Sequence, residues 1–513
     1  MKRLVSLFIG LIFLLTAAMP VSAADDGYDE LRRQIIAAME TGERLDISEY
    51  KLTREEMEEI YEDLFHRGLL PWYVDSFCDW TGASDGTIAV ISLRDLRKRS
   101  FSEDTYERAL AELIAETCHE GMTDLHKVLS VHDYIVSHVE YRYFDSVNNG
   151  YHALVRGETQ CYGYSQLFLR VMDRIGIPCE IVICDDVGNG VGHAWNVVQI
   201  DGNWYHLDLT WDDSLPDAPG QALHIYFLKT DMEFKWKYGH DFGWETETNC
   251  KDKTYSDGAI WEDCKSPVIF LDADTMILRR DEDLTGGIYA VDVKTGEEKL
   301  LYSVQYDDIE MGGKYYYGYG TSLWYWDERI WFNTASAIYS ITLDGRDLKT
   351  EYEYDVSANE RYIFGFMIED GILHISVIDI DYDVRKLEVE LRDTDFHRHA
   401  YETSYVSATC ETGGYQLHTC TCGITYQTDR TNSLGHNLME EIIENGTCYT
   451  CQTCSYTYEE IVPVTESVST QSSNSTASDG QSDAVLLVAI LGSAGALMAA
   501  VVLLIRKKRK QEP

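Results

Sequence analysis

The stretch from residue 151 to residue 214 constrains the chain most, because it places a cysteine, a histidine and an aspartate in three successive predicted elements. Cys161 directly precedes a run with apolar residues at helical spacing, which a Gly-Ile-Pro sequence ends. His193 opens one predicted strand, and Asp208 lies in the next strand. A thiol, an imidazole and a carboxylate are the three groups from which an activated cysteine nucleophile is built.

The predicted position of Cys161 favours a reactive thiol. Only the thiolate attacks a carbonyl group readily, and a free cysteine has a pKa of about 8.5. The positive end of a helix and a nearby imidazole both favour the thiolate. Cys161 is predicted at a helix N-terminus, where Gly163 is expected to allow a tight turn of the backbone. His193 is the candidate base, and Asp208 is the candidate acceptor that fixes its tautomer.

A predicted β-hairpin links the histidine to the aspartate. Asp201 and Gly202 are a strong signal for a two-residue turn between the two strands. With that turn, the numbers of facing residues sum to 403, so Trp195 faces Asp208. His193 then lies on the same face as Asp208, as its diagonal neighbour and within reach. A loop one residue longer would send the two side chains to opposite faces.

Three segments of this stretch resemble the core of the transglutaminase-like superfamily, and the resemblance extends from about residue 125 to residue 245. They are 160–165 (QCYGYS), 192–196 (GHAWN) and 204–213 (WYHLDLTWDD). The resemblance implies a papain-like α+β core that acts on glutamine amides or peptide bonds through a thioester. We predict no cofactor for catalysis.

The resemblance also implies a role for each residue of the site. Cys161 corresponds to the nucleophile, His193 to the base and acid, and Asp208 to the group that orients the histidine. The backbone N–H of Cys161 and the side chain of Gln160 are the candidate donors to an oxyanion.

The two ends of the chain carry targeting signals. Residues 1–23 combine two cations, an apolar run and small residues, which predicts a signal peptide. Residues 484–505 contain no charge and predict a transmembrane helix, and the basic tail 506–513 predicts a cytoplasmic C-terminus. The Ser/Thr-rich segment 463–483 predicts a flexible linker. We therefore expect a single-pass protein of the cell membrane with an extracellular ectodomain.

Between these ends the sequence predicts an N-terminal helical region (28–120), a transglutaminase-like domain (121–262) and a β-rich domain (266–395). In the β-rich domain, short β-type runs alternate with turn pairs such as Asp344-Gly345 and Asp370-Gly371. Similar runs recur at distances near the length of a propeller blade, and about three such blades fit. We predict an all-β domain with propeller-like repeats that serves for binding or as a spacer.

A cysteine-rich module is predicted at 405–460. It contains Cys410, Cys420, Cys422 and Leu434-Gly435-His436, and an abbreviated second copy with Cys448, Cys451 and Cys454 follows. This pattern resembles small cysteine repeats on surface proteins of anaerobic Firmicutes, and we expect a Gram-positive bacterium as the source. Clustered cysteines with a histidine suit a tetrahedral zinc ion, whereas an even number of cysteines in a secreted protein suits disulfides. Because of the histidine we favour metal slightly. The candidate ligands are Cys410, Cys420, Cys422, His436, Cys448, Cys451 and Cys454.

Charge limits the partners of the chain. With 87 acidic and 43 basic residues its formal net charge is −44, and such a surface repels the phosphate backbone of nucleic acids. The expected partners are a protein or peptide substrate at the cell surface and the membrane itself. We predict a membrane-tethered extracellular cysteine enzyme that hydrolyses peptide or amide bonds. A crosslinking transglutaminase and a non-catalytic adhesin that uses the same fold as a scaffold remain the alternatives.

Overall fold

The structure is a computed structural model. It describes residues 28–41, 44–66, 74–95, 101–143, 148–184, 192–237, 239–240, 243–244, 248–256, 258–282, 285–311, 314–318, 320–391, 399–443 and 446–461. The predicted signal peptide, Ser/Thr-rich linker, transmembrane helix and basic tail lie outside these residues. Within the described ranges, no helix is both long and apolar enough to cross a membrane.

The chain divides into two compact units, Met1–Gly435 and His436–Pro513. The described α-helices all lie in the first unit: α1 (Asp29–Thr41), α2 (Arg54–His66), α3 (Glu103–Thr117), α4 (Asp124–His138), α5 (Cys161–Ile175), α6 (Leu209–Asp212), α7 (Asp231–Trp236) and α8 (Val356–Asn359). The first strands are β1 (Leu45–Asp46), β2 (Val74–Gly82), β3 (Ile88–Asp95), β4 (Glu140–Tyr141), β5 (Glu158–Thr159), β6 (Cys179–Cys184), β7 (His193–Ile200) and β8 (Asn203–Leu207).

The N-terminal part combines two helices with a three-stranded sheet, in the order β1-β3-β2. Helix α2 buries the apolar stripe that its periodicity predicts, which consists of Met57, Ile60, Tyr61 and Leu64. The capping box at its start is formed, since the Thr53 N–H donates to Glu56 Oε2 at 2.8 Å and the Glu56 N–H donates back to Thr53 Oγ1 at 3.2 Å. The region predicted as helical therefore also contains a sheet.

The helices α3, α4 and α5 and the antiparallel sheet β6-β7-β8 form the central α+β part of the first unit. Ser102 and Thr123 cap α3 and α4 by accepting hydrogen bonds from backbone N–H groups of the first turn. Helix α5 buries Phe168 and Val171 and ends at Gly176, whose φ of +77° is the left-handed conformation that a helix end favours. This helix lies against β7, which brings the start of the helix close to the start of the strand.

The hairpin of β7 and β8 has the register that the sequence predicts. Ile200 pairs with Asn203 and Asn196 pairs with Leu207, so the facing numbers sum to 403. The two turn residues, Asp201 and Gly202, have φ values of 50° and 82°, which match a type I′ turn. The prediction of a two-residue turn is therefore confirmed.

The described residues of the β-rich region form four antiparallel sheets. Their strands are β9 (Ile269–Phe270), β10 (Thr275–Glu282), β11 (Thr285–Asp292), β12 (Glu298–Gln305), β13 (Asp307–Met311), β14 (Lys314–Gly318), β15 (Leu323–Trp326), β16 (Arg329–Asn333), β17 (Ala337–Thr342), β18 (Lys349–Glu353), β19 (Tyr362–Glu369), β20 (Ile372–Ile378) and β21 (Val384–Glu390). The prediction of many short antiparallel strands is confirmed. The described strands form sheets of 4, 2, 4 and 3 strands that do not join into a closed propeller or barrel.

The cysteine-rich part forms two three-stranded meanders. One consists of β22 (Tyr401–Val406), β23 (Tyr415–Cys420) and β24 (Thr425–Thr428), and the other of β25 (Leu438–Ile443), β26 (Gly446–Cys451) and β27 (Thr457–Ile461). The first meander belongs to the first unit and packs on α3. There the Tyr426 hydroxyl donates to Asp104 at 2.9 Å and the Tyr401 hydroxyl donates to Glu112 at 2.8 Å. The second meander belongs to the second unit.

Candidate active site

Cys161 is the first residue of α5 and is half-buried. The residue before it, Gln160, has extended backbone and occupies the N-cap position, so the chain enters the helix at the thiol. Gln160 does not cap the helix with its side chain. The backbone N–H groups of the first helical turn are directed towards the region in front of the thiol, as they are at any helix N-terminus. The proposed oxyanion role of Gln160 stays a prediction.

Gly163 is required for a reason other than the one the sequence suggests. Its φ does not lie in the left-handed region, so the expected tight turn is wrong. A Cβ atom at this position would lie 1.8 Å from the Thr159 Oγ1 and 2.8 Å from the Asn149 carbonyl oxygen. The Gly163 N–H also donates to the Asn148 side chain at 3.0 Å. A glycine therefore permits close approach of the preceding segment to the helix that carries Cys161.

His193 opens β7 and joins the other two groups. Its Nε2 donates to the Asp208 Oδ2 at 2.7 Å, and its ring lies near enough to the Cys161 side chain for that side chain to raise its pKa. Because the Nε2 of His193 is hydrogen-bonded to Asp208, Nδ1 is the ring nitrogen that is available to the Cys161 thiol. His193 is 7% exposed and Asp208 is 0% exposed, so solvent competes little for their bond.

Burial and the neighbouring charges act in opposite directions on His193. Burial alone would lower its pKa, but the charge of Asp208, the hydrogen bond with Asp208 and the neighbouring Cys161 raise the pKa to about 10. Burial would likewise raise the pKa of Asp208. The charge of His193 and the hydrogen bonds from His193 and His240 instead hold that pKa below its usual range. At neutral pH the pair is therefore an imidazolium and a carboxylate.

Asp208 is held by four donors. It is the N-cap of α6, and its Oδ1 accepts from the backbone N–H of Thr210 at 3.0 Å and of Trp211 at 3.2 Å. Its Oδ2 accepts from His193 at 2.7 Å and from His240 at 2.9 Å. A carboxylate can accept all four bonds, and they fix its orientation towards His193.

His240 is a site residue that sequence reasoning missed. It is fully buried and donates through Nε2 to the carboxylate oxygen that also binds His193. Its ring lies 3.8 Å from the Phe234 ring and 4.1 Å from the Trp211 ring, measured between centroids. His240 follows Asp208 by 32 residues in an irregular segment, so no periodicity or spacing marks it. Its aromatic-rich surroundings in the sequence are the sole hint.

Trp211 covers the imidazole of His193. The two rings are stacked, with centroids 5.3 Å apart and planes inclined by 26°. Trp195 lies on β7 and is fully buried, and its indole N–H donates to His206 at 3.0 Å. His206 in turn donates to Asp231 at 3.0 Å, which ties the hairpin to α7. These aromatic contacts restrict the access of water to the histidine–aspartate pair.

The two acidic residues at the end of α6, Asp212 and Asp213, bond elsewhere. Asp212 lies 3.3 Å from His132 Nε2, and Asp213 accepts from the Tyr164 hydroxyl at 2.8 Å. His132 also bonds Asp133 at 2.8 Å. Burial would lower the pKa of His132, but the bonds with Asp133 and Asp212 raise it to about 9. This buried cluster is a second ion-paired network, separate from the pair of His193.

The predicted metal ligands belong to two units. In the first unit, Cys410 lies in the loop between β22 and β23, Cys420 ends β23, and Cys422 lies in the turn before β24. In the second unit, His436 precedes β25, Cys448 and Cys451 lie on β26, and Cys454 lies in the turn before β27. No disulfide joins the cysteines whose side chains the structure describes.

Comparison with known proteins identifies relatives of the central part. Residues 111–209 match the family model of the transglutaminase-like superfamily. Kyphoscoliosis peptidase of Homo sapiens is 30% identical over 133 residues, which cover 23% of this chain and 20% of that protein. The protein of the same name from Mus musculus is 29% identical over 150 residues, which cover 25% of this chain and 23% of that protein. The chain thus spans less than a quarter of the length of these relatives.

Among solved structures, a TGase is 16% identical, with a TM-score of 0.19 and coverage of 26% of this chain and 44% of the other. The segment that matches the family model contains the helix start with Cys161, the strand start with His193, and Asp208. The prediction that Asp208 lies within the second strand of the hairpin is wrong, because β8 ends at Leu207 and Asp208 caps α6. Residues 111–209 of this chain form a domain of the transglutaminase-like superfamily.

Proposed function

We propose that the chain is a cysteine enzyme of the transglutaminase-like class that hydrolyses peptide or amide bonds through a thioester. One observation carries the proposal. The Cys161 thiol at the start of α5 lies beside His193, whose Nε2 is held by Asp208 at 2.7 Å. A nucleophile, a proton carrier and an orienting carboxylate are thereby in contact in the required order.

The first half of the reaction forms an acyl-enzyme. The Cys161 sulfur attacks the amide carbonyl carbon, and the carbonyl oxygen becomes an oxyanion. The Cys161 N–H and the Gln160 side chain are the proposed donors to this oxyanion. When the carbon–nitrogen bond breaks, His193 gives its proton to the departing amine, and a thioester remains on the sulfur. The raised pKa of His193, about 10, keeps that proton available at neutral pH.

The second half releases the acyl group. His193, now neutral, takes a proton from a water molecule as the water oxygen attacks the thioester carbon. The carbon–sulfur bond then breaks, the carboxylic acid leaves, and the thiolate faces the imidazolium again. A primary amine in place of water would give a new amide, which is the crosslinking alternative. We favour water because it is the abundant acceptor outside a cell.

We further propose that the enzyme acts at the outer surface of a cell membrane on protein or peptide substrates. The charged-then-apolar segment 1–23, the uncharged segment 484–505 and the basic cluster after it support this location. The net charge of −44 argues against nucleic acid as a partner. The β-rich region, with its antiparallel sheets, would present the domain or bind its substrates.

The test of the function is alkylation of the full chain with iodoacetamide at neutral pH, read out by peptide mapping. We expect rapid labelling of Cys161, and labelling roughly 100-fold slower in His193→Ala, because the imidazolium beside the sulfur is lost. Burial raises the pKa of Cys264 to about 12, so this thiol should stay unlabelled and reports that the fold is intact.

The matched control is His374→Ala, which removes a histidine of β20 in the β-rich region. This variant should label at Cys161 as fast as the unchanged chain. Equal labelling rates in His193→Ala and the unchanged chain would refute the nucleophile assignment and favour the adhesin. Incubation of a glutamine peptide with and without a primary amine separates the two reactions, and amine incorporation without hydrolysis would replace hydrolysis by crosslinking.

We also propose that His240 is a positioning residue, acting through Asp208. His240→Phe preserves the packing against Phe234 and Trp211 but removes the N–H that donates to Asp208. The Asp208 carboxylate then stabilises the His193 imidazolium more strongly, because His240 no longer donates to the same oxygen. We expect kcat/KM to fall roughly 10-fold and the basic limb of its pH profile to move to higher pH.

The comparison for this prediction is His240→Gln, whose amide N–H₂ can still donate to Asp208. It should restore the basic limb of the pH profile to its position in the unchanged chain. If the Phe and Gln variants have the same pH profile, His240 contributes packing alone and the positioning role is wrong.

A further inference from the structure

The two small meanders of the cysteine-rich part share one layout, although they lie in different units. In each, the middle strand ends at a cysteine, and a second cysteine lies in the turn that leads to the third strand. These are Cys420 and Cys422 in the first meander and Cys451 and Cys454 in the second. In each, a histidine also lies two residues before the first strand. The two meanders therefore share the placement of these side chains, although the two cysteines are spaced differently along the sequence in each.

In the first meander the histidine is His399, which the sequence did not single out. The Cys422 Sγ lies 3.4 Å from the His399 Nδ1. The sulfur atoms of Cys420 and Cys422 and a ring nitrogen of His399 all lie within 4.8 Å of one another. Cys420 ends the middle strand and is buried, whereas Cys422 and His399 are exposed, so the cluster lies at one end of the sheet and can be reached from solvent.

The second meander repeats this geometry within its own unit. The Cys454 Sγ lies 3.4 Å from the His436 Nδ1, and the Cys451 Sγ lies within 4.8 Å of both groups. The Thr453 N–H points at the Cys451 Sγ at 3.4 Å. A backbone donor aimed at sulfur stabilises a thiolate, which is the form of cysteine that binds metals.

The distances suit a tetrahedral ion. Zinc binds thiolate sulfur at about 2.3 Å and imidazole nitrogen at about 2.0 Å, so a sulfur and a nitrogen on one tetrahedron lie about 3.6 Å apart. Both sulfur–nitrogen pairs, at 3.4 Å, are near this value. Two thiolates with one imidazole form a donor set that binds zinc in preference to magnesium or calcium.

Burial in the second meander gives an independent reason to expect an ion. Among the described residues of 436–461, Cys451 is the one buried side chain. The apolar side chains of Met439 and Ile442 are 57% and 90% exposed. A sheet of this size without an apolar core needs another source of folding free energy, which a bound metal supplies.

We propose that each meander binds one zinc ion through its histidine and its two cysteines, so that one chain holds two zinc ions. The ligands are His399, Cys420 and Cys422 in the first site, and His436, Cys451 and Cys454 in the second. The fourth position of each tetrahedron takes a further donor. The sites are structural, and they do not depend on the proposed chemistry at Cys161.

This assignment changes the set predicted from the sequence. It adds His399 and divides the remaining ligands between two ions. It leaves out Cys410 and Cys448. Cys448 lies on β26 with its sulfur 3.5 Å from the Thr457 hydroxyl and 3.9 Å from the Thr450 hydroxyl. Cys448 is half-buried and close in sequence to the second site, so it provides a matched control.

The experiment measures zinc by elemental analysis in the untagged full chain after incubation with zinc and removal of the excess. Every protein carries Cys161→Ala, so that the proposed catalytic thiol adds no site. We expect two zinc ions per chain, one in Cys420→Ser, one in Cys451→Ser, none in the double variant and two in Cys448→Ser. Cobalt in place of zinc should give the thiolate charge-transfer and visible bands of a tetrahedral site, at half intensity in each single variant.

The possible results separate zinc from disulfides. Less than one zinc per chain, together with cysteines that become reactive only after reduction, would overturn the proposal in favour of disulfides. An equal loss of zinc in Cys448→Ser and Cys451→Ser would overturn the choice of ligands. If a serine variant unfolds, the cobalt spectrum of the chain with all its module cysteines still decides, because a spectrum without thiolate charge-transfer bands refutes both sites.

Discussion

Replacing Cys161 by alanine should abolish turnover of an amide substrate and leave the fold intact. The proposed reaction passes through a bond to this sulfur, and removal of a nucleophile that works with a histidine typically costs about 10⁶-fold in kcat. The side chain is half-buried and begins α5, where alanine is a good helix former. The free energy of unfolding should therefore change by less than about 1 kcal/mol.

The measurement compares product release from a peptide substrate with urea unfolding of the same preparations. Cys118→Ala is the matched control, because Cys118 is also half-buried and follows the end of α3, outside the site. It should retain full activity. Cys161→Ser should remain inactive, since an alcohol is far less ionised than a thiol at neutral pH. Substantial turnover by Cys161→Ala would show that the chemistry takes place elsewhere in the chain.

Asp208→Asn should impair both activity and stability. The carboxylate accepts from two backbone N–H groups and from two histidines, whereas an asparagine has one acceptor oxygen. The asparagine N–H₂ group must therefore face some of these four donors, with which it cannot form a hydrogen bond. We expect kcat/KM to fall about 10⁴-fold, because His193 is no longer held in the required tautomer. We expect the free energy of unfolding to fall by about 3 kcal/mol.

Asp212→Asn separates the two effects. Asp212 is equally buried and pairs with His132, so its loss should also destabilise the fold. It does not bond His193, and the rate at which Cys161 is alkylated should stay within a few-fold of the unchanged chain. If Asp212→Asn reduces the alkylation rate as much as Asp208→Asn does, the effect of Asp208 is one of stability and not of orientation.

The dependence of stability on pH gives a second readout for Asp208. The pKa of His193 is raised from about 6.5 in the unfolded chain to about 10 in the fold. Its contribution is therefore complete below pH 6.5 and is lost as the pH rises through 10. The pKa of His132 is raised to about 9, so His132 adds to the same loss of stability at high pH. The free energy of unfolding, measured with urea between these pH values, should thus decline less steeply with pH in Asp208→Asn than in the unchanged chain.

Local signals in the sequence predicted much of the central fold. The turn at Asp201 and Gly202 set the hairpin register, because a two-residue loop allows one pairing only. The capping box of Thr53 and Glu56 marked the start of α2. Helical spacing of apolar residues marked α5, and Gly176 marked its end. In each case the interacting groups are a few residues apart, so the order of residues is sufficient to define them.

The β-rich region was predicted less well. Turn pairs and β-type runs indicated strands, but the grouping of those strands into sheets of unequal size did not follow from them. Arg279 illustrates the reason. It is fully buried and donates to the carbonyl oxygens of Ser322 and Asn333, more than 40 residues away. Contacts over such distances depend on how the chain packs, and no local pattern encodes them.

The sequence by itself determined the order of Cys161, His193 and Asp208 and the register of the hairpin that begins at His193. Only the tertiary structure placed His240 on the same carboxylate oxygen as His193. The tertiary structure alone also placed His399 beside Cys422. A helix start and a tight hairpin are specified by hydrogen bonds between near neighbours in the chain. His240 and His399 reach their partners through packing of segments 32 and 23 residues apart, which only the folded chain decides.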